Sequence, residues 1–562
     1  MLNNGLHRRK VDLDFYLHRV FRKKSFRPLQ RDVVTAVVEG HDVFLQASTS
    51  FGKSLCFQLP AMTTPGVTVV VCPLLSLMTD QVNALQALGV PVATINSTTT
   101  LAERRVILED LLSGHPRTRL LYVTPELCQT ETFRRNLQTI HRQRELVRIA
   151  IDEAHCISEW GHDFRPAYKN LSWFRSFLTD PPVPISALTA TATPQVRTDI
   201  INILGLDSSR MRIFSTPSAR PNIHYEIRFM QGFAPDPTEP EPFQINDLIS
   251  WLHSIQGRRK ARVGTDAVSK LPPISGIVYV STRMTAERLA QAICQCDGSI
   301  RAVAYHAGLA SEDRTRVQTD WIAPQKQQQA NSDPNNPDEK PLAFYIIVAT
   351  TAFGMGIDNP EVRFVVHWSP PRTFEGFVQE SGRAGRDGRA ATSIVYYNPQ
   401  ERERILDRLR RDIENVNNRS GGRNAGLNSG DKVSLLRNLY ARKQSFEKVV
   451  HYCEATTRCR HELIREFFGD FELEKMSSSQ VPAYSGTVSG GDDNSIAGGT
   501  TTSVSPCDYA CDFCKEGPEN LAERKAKMAP EEALSNVVER GWLETMFPLE
   551  RMFPELVRRR FG

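Results

Sequence analysis

Lys53 and Ser54 end the stretch Ala47-Ser-Thr-Ser-Phe-Gly-Lys-Ser54, which follows the apolar run Val43-Phe-Leu-Gln46. A loop turning from a strand into a helix offers backbone N–H groups and a helix N-terminus to phosphate oxygens. Lysine adds a cation for the β and γ oxygens, and serine a hydroxyl for Mg²⁺. Thr49, Ser50 and Gly52 line the same turn. Further along, Asp152-Glu-Ala-His155 closes a second apolar run, Leu146–Ile151. Asp152 is placed to hold Mg²⁺, and Glu153 to orient or deprotonate an attacking water. Gly-Lys-Ser alone would also suit an ordinary helix start. The strand before it and the acidic pair at a second strand end favour nucleoside triphosphate hydrolysis.

The elements that must position these groups are strands alternating with helices. Val67–Cys72, Leu120–Val123, Ile149–Ile151 and Ile185–Leu188 are short apolar runs separated by helical patterns, which predicts a parallel α/β sheet. The pattern loosens over Ile213–Arg262 and resumes in a second α/β run at Ile277–Val280, Ala302–Tyr305, Phe344–Val348, Val362–Val366 and Ser393–Tyr397. A polar insertion, 324–341, interrupts this second run. Two α/β halves with one phosphate loop predict a cleft between them, to which the second half supplies a cation. Gln379-Glu-Ser-Gly-Arg-Ala-Gly-Arg-Asp-Gly388 fits that role. Arg383 and Arg386, three apart, share a face if the segment is helical. The loop Ala349–Asp358 carries Gly356 and places Asp358 to order the cleft.

The chain has 562 residues, too many for one core, with 40% hydrophobic and 24% charged residues. Its net charge of +5 permits a nucleic-acid partner. There is neither an apolar run long enough to span a membrane nor a secretory h-region at the N-terminus. The expected compartment is therefore cytosolic or nuclear, where the 11 cysteines are thiols or metal ligands. Cys507, Cys511 and Cys514 sit at C-x₃-C-x₂-C spacing. Cys459 is the natural fourth ligand of a closed structural Zn²⁺ site, with Cys453 and His461 as competitors. Cys453 reads better as a packing residue.

Phe26–Gln30, Thr49–Ser54, Cys72–Val82, Asp152–His155, Leu188–Thr193, Tyr305–Leu309, Phe353–Asp358 and Gln379–Gly388 stand in this order along the chain. Together they resemble the motifs of the RecQ DNA helicases of superfamily 2. The most specific piece is Ser158-Glu-Trp-Gly-His-Asp-Phe-Arg-Pro166, similar to the aromatic-rich loop that couples DNA contact to ATP hydrolysis in that family. Trp160 and Phe164 can stack on bases and Arg165 can pair with phosphate, while His162 lies in the same loop.

The resemblance implies an α/β fold with two tandem RecA-like domains at 1–219 and 220–400, a helical zinc-binding subdomain at 401–520 and a helical tail at 521–562. It implies that Gln30 reads the adenine edge, that Arg27 stacks near the base, and that Thr189 and Thr191 bridge the ATP and DNA sites. His306 belongs to the DNA-facing set. Ser50 departs from the glycine usual in such helicases, and a positive φ there would strain a serine. The cysteine spacing looks most like the branch numbered five in animals.

The expected function is an ATP- and Mg²⁺-dependent 3′→5′ DNA helicase with structural Zn²⁺. It would act on single-stranded and branched DNA in repair and recombination, in the nucleus, with protein partners unspecified. The alternatives are a strand-annealing or scaffold protein gated by ATP, and an RNA helicase. The latter is disfavoured by the aromatic loop and the cysteines.

Overall fold

A computed structural model describes residues 11–161, 163–207, 209–230, 242–264, 271–322, 342–351, 353–354, 359–418, 429–478, 507 and 511–527. Among the described residues thirteen strands form two sheets, with parallel pairing throughout. The first holds β1 Asp42–Gln46, β2 Val67–Val71, β3 Val92–Ile95, β4 Leu120–Val123, β5 Leu146–Ile151, β6 Ile185–Thr189 and β7 Met211–Ser215, in the order β3-β4-β2-β5-β6-β1-β7. The second holds β8 Ile223–Phe229, β9 Ile274–Tyr279, β10 Ile300–Tyr305, β11 Phe344–Ala349, β12 Val362–His367 and β13 Ala391–Tyr397, in the order β10-β11-β9-β12-β13-β8. These are two RecA-like lobes. The central strands β1, β2, β4, β6 and β11 are buried at every position, as strands covered by helices on both faces must be.

The strand order puts β5, β6 and β1 side by side. Parallel pairing aligns Ile151 with Ala187 and Gln46 with Thr189. The carboxyl ends of these strands therefore deliver the phosphate loop, the acidic pair and Thr189 to one edge, where α/β sheets form their crevices.

The loosened stretch Ile213–Arg262 is more regular than its sequence suggests. It contains the end of β7, all of β8 and most of the helix Pro242–Val263, which Pro242 opens. The polar insertion 324–341 lies outside the described residues, and so does the tail beyond Lys527.

After β13 come the helices Pro399–Asn418, Ser429–Glu454, Arg460–Phe467, Asp470–Ser478 and Asp512–Ala526. Cys453, Leu463, Ile464, Phe468 and Cys511 share one apolar core with β8, β9, β11 and β13, whereas Leu473 packs into the core of the first lobe. The helical part thus touches both lobes. No helix among the described residues is long and apolar enough to cross a membrane.

Candidate functional site

β1 delivers the chain to the phosphate loop, and the Ala47 amide bonds the Thr189 carbonyl at 3.0 Å. A 3₁₀ turn, Thr49–Phe51, precedes Gly52 at φ 81°, and the helix Leu55–Thr63 follows. The left-handed residue is therefore Gly52. A Cβ there would come within 2.8 Å of Gln30 Nε2. Ser50 is not among the left-handed residues, so the strain expected for it does not arise. Ser54 sits at the helix N-cap, yet its hydroxyl makes no cap bond. Lys53 is buried, and its ammonium donates to the carbonyls of Ala47 (3.0 Å) and Ser48 (3.4 Å). Burial lowers its pKa, while Glu153 and Asp152 beside it pull the other way. Gln30 donates to the carbonyls of Phe51 (2.7 Å) and Gly52 (3.3 Å) and accepts from the Arg27 amide (2.8 Å). Its amide therefore braces the loop in this structure, and Arg27 remains exposed.

Asp152 follows β5, and burial next to Glu153 pushes its carboxyl up to about 6. Gln81 Nε2 donates to its Oδ2 at 3.4 Å, Tyr122 donates its hydroxyl to Gln81 Oε1 at 2.8 Å, and Gln58 donates to the Tyr122 oxygen at 3.0 Å. Of this polar relay the sequence had drawn out only the motif that contains Gln81. Glu153 has φ 48°, an uncommon conformation for a side-chain-bearing residue and one that tends to mark functional turns. His155 Nδ1 lies 3.0 Å from Thr189 Oγ1 and 3.3 Å from Glu153 Oε2. Thr189 donates its own hydroxyl proton to the Thr191 carbonyl at 3.1 Å, so His155 Nδ1 is the donor to Thr189. Burial lowers the His155 pKa to about 4, so the ring is neutral at pH 7. Thr189 and Thr191 are buried and tie the acidic segment to β6.

The second lobe closes the cleft. Thr49 Oγ1 donates to the Gly382 carbonyl at 3.3 Å, from the phosphate loop to the arginine segment. That segment is not the helix its spacing suggested. The helix Phe374–Ser381 ends first, and Gly385 takes φ 59°, where a Cβ would meet Asn222 Nδ2 at 2.6 Å and the Arg389 carbonyl at 2.8 Å. The two arginines are therefore set by a turn rather than by a shared helical face, and the charges of both are felt at Tyr279. Arg386 lies near enough to Lys53 for its charge to oppose that of the ammonium. Arg383 is buried and donates to the Gly354 carbonyl. Gly356 and Asp358 fall outside the described residues. Arg220 and Asn222, which sequence reasoning missed, hold this segment from the interlobe connection.

In the aromatic loop, Gly161 is required by close approach, because a Cβ there would come within 2.5 Å of the His155 carbonyl. The Arg165 amide bonds the Cys156 carbonyl at 2.9 Å, so the loop lies directly on the acidic segment. Trp160 is half-buried against the first core, and Phe164 is half-buried too. Arg165 reaches the Pro73 carbonyl at 2.6 Å and Asp163 at 3.2 Å. Glu159, in the same loop, is buried. It accepts from Lys169 (2.8 Å), Ser434 (2.9 Å) and Arg437 (3.3 Å), anchoring the loop on the helix Ser429–Glu454. His162 falls outside the described residues. His306 is buried, accepting at Nδ1 from the Gly308 amide (3.2 Å) and meeting Glu287 with Nε2 (3.0 Å). It is not brought to the surface with the aromatic loop.

The Sγ atoms of Cys459, Cys507, Cys511 and Cys514 all lie within 4.8 Å of one another. Cys459 and Cys511 are 3.8 Å apart, the edge expected, at about 3.8 Å, of a tetrahedron with Zn–S bonds of about 2.3 Å. The donor set fits Zn²⁺. Cys453 is fully buried in the same core as Cys459 and Cys511 but outside the group of four, and His461 Nε2 donates to the Arg220 carbonyl at 3.2 Å.

A DEAD/DEAH box helicase model matches residues 27–200, and a helicase conserved C-terminal domain model matches 261–388. The chain is 38% identical to the ATP-dependent DNA helicase Q5 of Mus musculus over 81% of its own length and 41% of that protein. It is 36% identical to the RecQ-like DNA helicase BLM of Xenopus laevis over 81% of its length and 28% of that protein. Against the ATP-dependent DNA helicase Q1 of Rattus norvegicus the figures are 34%, 81% and 62%. The chain thus spans between 28% and 62% of the length of these curated relatives.

Proposed function

Because the chain belongs to the RecQ family of DNA helicases, we propose that it hydrolyses ATP between its lobes and uses the cycle to translocate 3′→5′ and separate DNA strands. The observation that carries this reading is the bond from Thr49 to the Gly382 carbonyl across the cleft, with the charges of Arg386, Asp152 and Glu153 all felt at Lys53. The loop amides, Lys53 and the Ser54 hydroxyl take the phosphates. Ser54 and Asp152 hold Mg²⁺, which supplies charge neutralisation at the phosphate oxygens. Glu153 orients or deprotonates the attacking water, and Arg386 stabilises the charge that develops on the transferred group. Arg27 and Gln30 take the base. Binding of the base by Gln30 would exchange at least one of its bonds to the loop, a direct route from nucleotide recognition to loop shape.

Trp160, His162, Phe164 and Arg165 meet single-stranded DNA, and His155, Thr189 and Thr191 relay that contact to the cleft. Gly356 and Asp358 contribute to nucleotide binding. Cys459, Cys507, Cys511 and Cys514 hold a structural Zn²⁺. The enzyme falls in the DNA-unwinding isomerase class and acts on single-stranded and branched DNA in nuclear repair and recombination.

The test is DNA-stimulated ATPase and forked-duplex unwinding by the purified chain and its Lys53→Ala variant. Hydrolysis and unwinding by the wild type, with neither in the variant and DNA binding kept by both, support the reading. Steady hydrolysis by Lys53→Ala overturns it. Annealing without unwinding would move the function to ATP-gated binding.

A further inference from the structure

Arg220 lies in the segment between β7 and β8 that joins the two lobes. It is buried, and among the described residues its side chain donates to backbone carbonyls. Nη1 donates to Gly382 and Ala384, each at 2.9 Å, and Nη2 donates to Gly385. Among the described residues no carboxylate is in ion-pair contact with it, although the charge of Asp387 is felt there, and a guanidinium buried in this way is costly to desolvate. The planar fork of arginine reaches several carbonyls at once, which lysine cannot do. The three carbonyls immediately precede Arg386. The Gly382 carbonyl also accepts from Thr49 of the phosphate loop, so one peptide oxygen joins the hinge, the phosphate loop and the arginine segment.

The segment has a second anchor from the same connection. Asn222 Nδ2 donates to the carbonyls of Gly385 (2.9 Å) and Arg389 (2.8 Å), bracketing Arg386 on both sides. The hinge itself is fixed from behind by the helical subdomain. His461 donates to the Arg220 carbonyl at 3.2 Å, and Asp470 accepts from the Ser218 amide (2.7 Å) and hydroxyl (2.8 Å). The curl of 382–385 is thus dictated by long-range bonds, and the non-helical turn at Gly385 is its local signature.

We propose that Arg220 is the positioning residue of Arg386: by gathering the carbonyls of Gly382, Ala384 and Gly385 it holds the Arg386 side chain towards Lys53. Arg220 itself touches neither ATP nor the reacting atoms. The inference rests on the reading of Arg386 as the transition-state cation, and the experiment separates the two.

The full chain is assayed with saturating single-stranded DNA as wild type, Arg386→Ala, Arg220→Gln, Arg220→Lys, Asn222→Ala and the double variant Arg220→Gln/Arg386→Ala. Arg220→Gln should lower kcat about 100-fold and change KM for ATP less than about threefold, since a displaced catalytic group acts on the transition state. Arg220→Lys should fall with it, and Asn222→Ala should lower kcat less. In the Arg386→Ala background, Arg220→Gln should cost less than about a further threefold, because both substitutions remove the same interaction. Additive losses would place Arg220 in another role and overturn the proposal. If Arg220→Gln no longer melts cooperatively, Arg220→Lys decides: wild-type melting with kcat within about threefold of wild type overturns the proposal. If Arg386→Ala itself leaves kcat intact, the reading of Arg386 fails and takes this inference with it. If Arg386→Ala is crippled while well-folded Arg220 variants are not, this inference alone falls.

Discussion

The guanidinium of Arg460 binds the carboxylate of Asp512 through Nε at 2.8 Å and Nη2 at 3.1 Å, with both side chains at 0% exposure. Each partner follows a cysteine of the metal cluster, Cys459 and Cys511. Asp512 Oδ2 also accepts from the Ile227 amide at 3.0 Å, and Arg460 donates to the Tyr452 carbonyl. The pair therefore ties two helices of the zinc-bearing part to the edge strand β8.

Removing one partner of a buried pair leaves the other charge unmatched, which typically costs about 3–5 kcal/mol. Asp512→Ala is expected to destabilise the second lobe and its helical subdomain by that order, read as a fall in the denaturation midpoint. Asp512→Asn, which keeps the shape and an acceptor, should be milder only if packing dominates over charge. A change below about 1 kcal/mol for Asp512→Ala would show that the pair contributes little.

The aromatic loop gives a kinetic prediction. Gly161 and Arg165 fold it onto the His155–Cys156 backbone, and Glu159 fastens it to the helix Ser429–Glu454. Loss of a stacking ring costs about 1–3 kcal/mol per base. Trp160→Ala and Phe164→Ala should therefore weaken stimulation of the ATPase by single-stranded DNA and suppress unwinding, with DNA-free hydrolysis little changed. Wild-type stimulation in both variants would assign the two rings to packing alone.

How much of this was legible in the residues depended on where each element sits in its sheet. β1, β2 and β5 read clearly because central parallel strands are nearly continuous apolar runs. β7 and β8 did not, because they are edge strands that carry Arg212, Glu226 and Arg228 at half-exposed positions. Lys53, Asp152 and Glu153 were found from local spacing next to such runs. Arg220 was not, since its first acceptor lies 162 residues downstream and no local pattern marks it. The Ser50 concern failed because the left-handed position of the loop falls two residues later, at Gly52. The condition for Arg383 and Arg386 to share a helical face is not met, because the helix ends at Ser381 and Gly385 turns left-handed between them.

Asp470 supplies a pH dependence of stability. Burial pushes its carboxyl up to about 6, against the bonds it accepts from Ser218. A folded-state pKa above the unfolded one means that the native state binds the proton more tightly. That contribution is full below about 4, the unfolded value, and is lost as pH rises through about 6. Melting temperatures measured from pH 4.5 to 8 should therefore fall more steeply in the wild type than in Asp470→Asn, whose side chain does not titrate. Parallel curves for the two proteins would remove Asp470 from the balance.

The cysteine cluster carries the sharpest prediction on stability. Four Sγ atoms lie within 4.8 Å of one another: the Cys459 hydrogen bond and burial raise the Cys511 thiol to about 11, and burial raises Cys507 to about 12. A dication of the right radius reverses that preference, so all four bind as thiolates and release protons. Elemental analysis should find one zinc per chain. Serine at Cys459, Cys507, Cys511 or Cys514 should abolish it, and a chelator should lower the melting temperature of the wild type. Because His461 and Asp470 of the same subdomain brace the hinge at Arg220 and Ser218, loss of zinc should also lower kcat for ATP, beyond any loss of DNA affinity. Cys453 is fully buried in the core that also takes in Cys459 and Cys511 but is not one of the four clustered Sγ atoms, so Cys453→Ser should keep its zinc and show only a core defect. Zinc retained by Cys459→Ser and lost by Cys453→Ser would exchange the two cysteines in the ligand set.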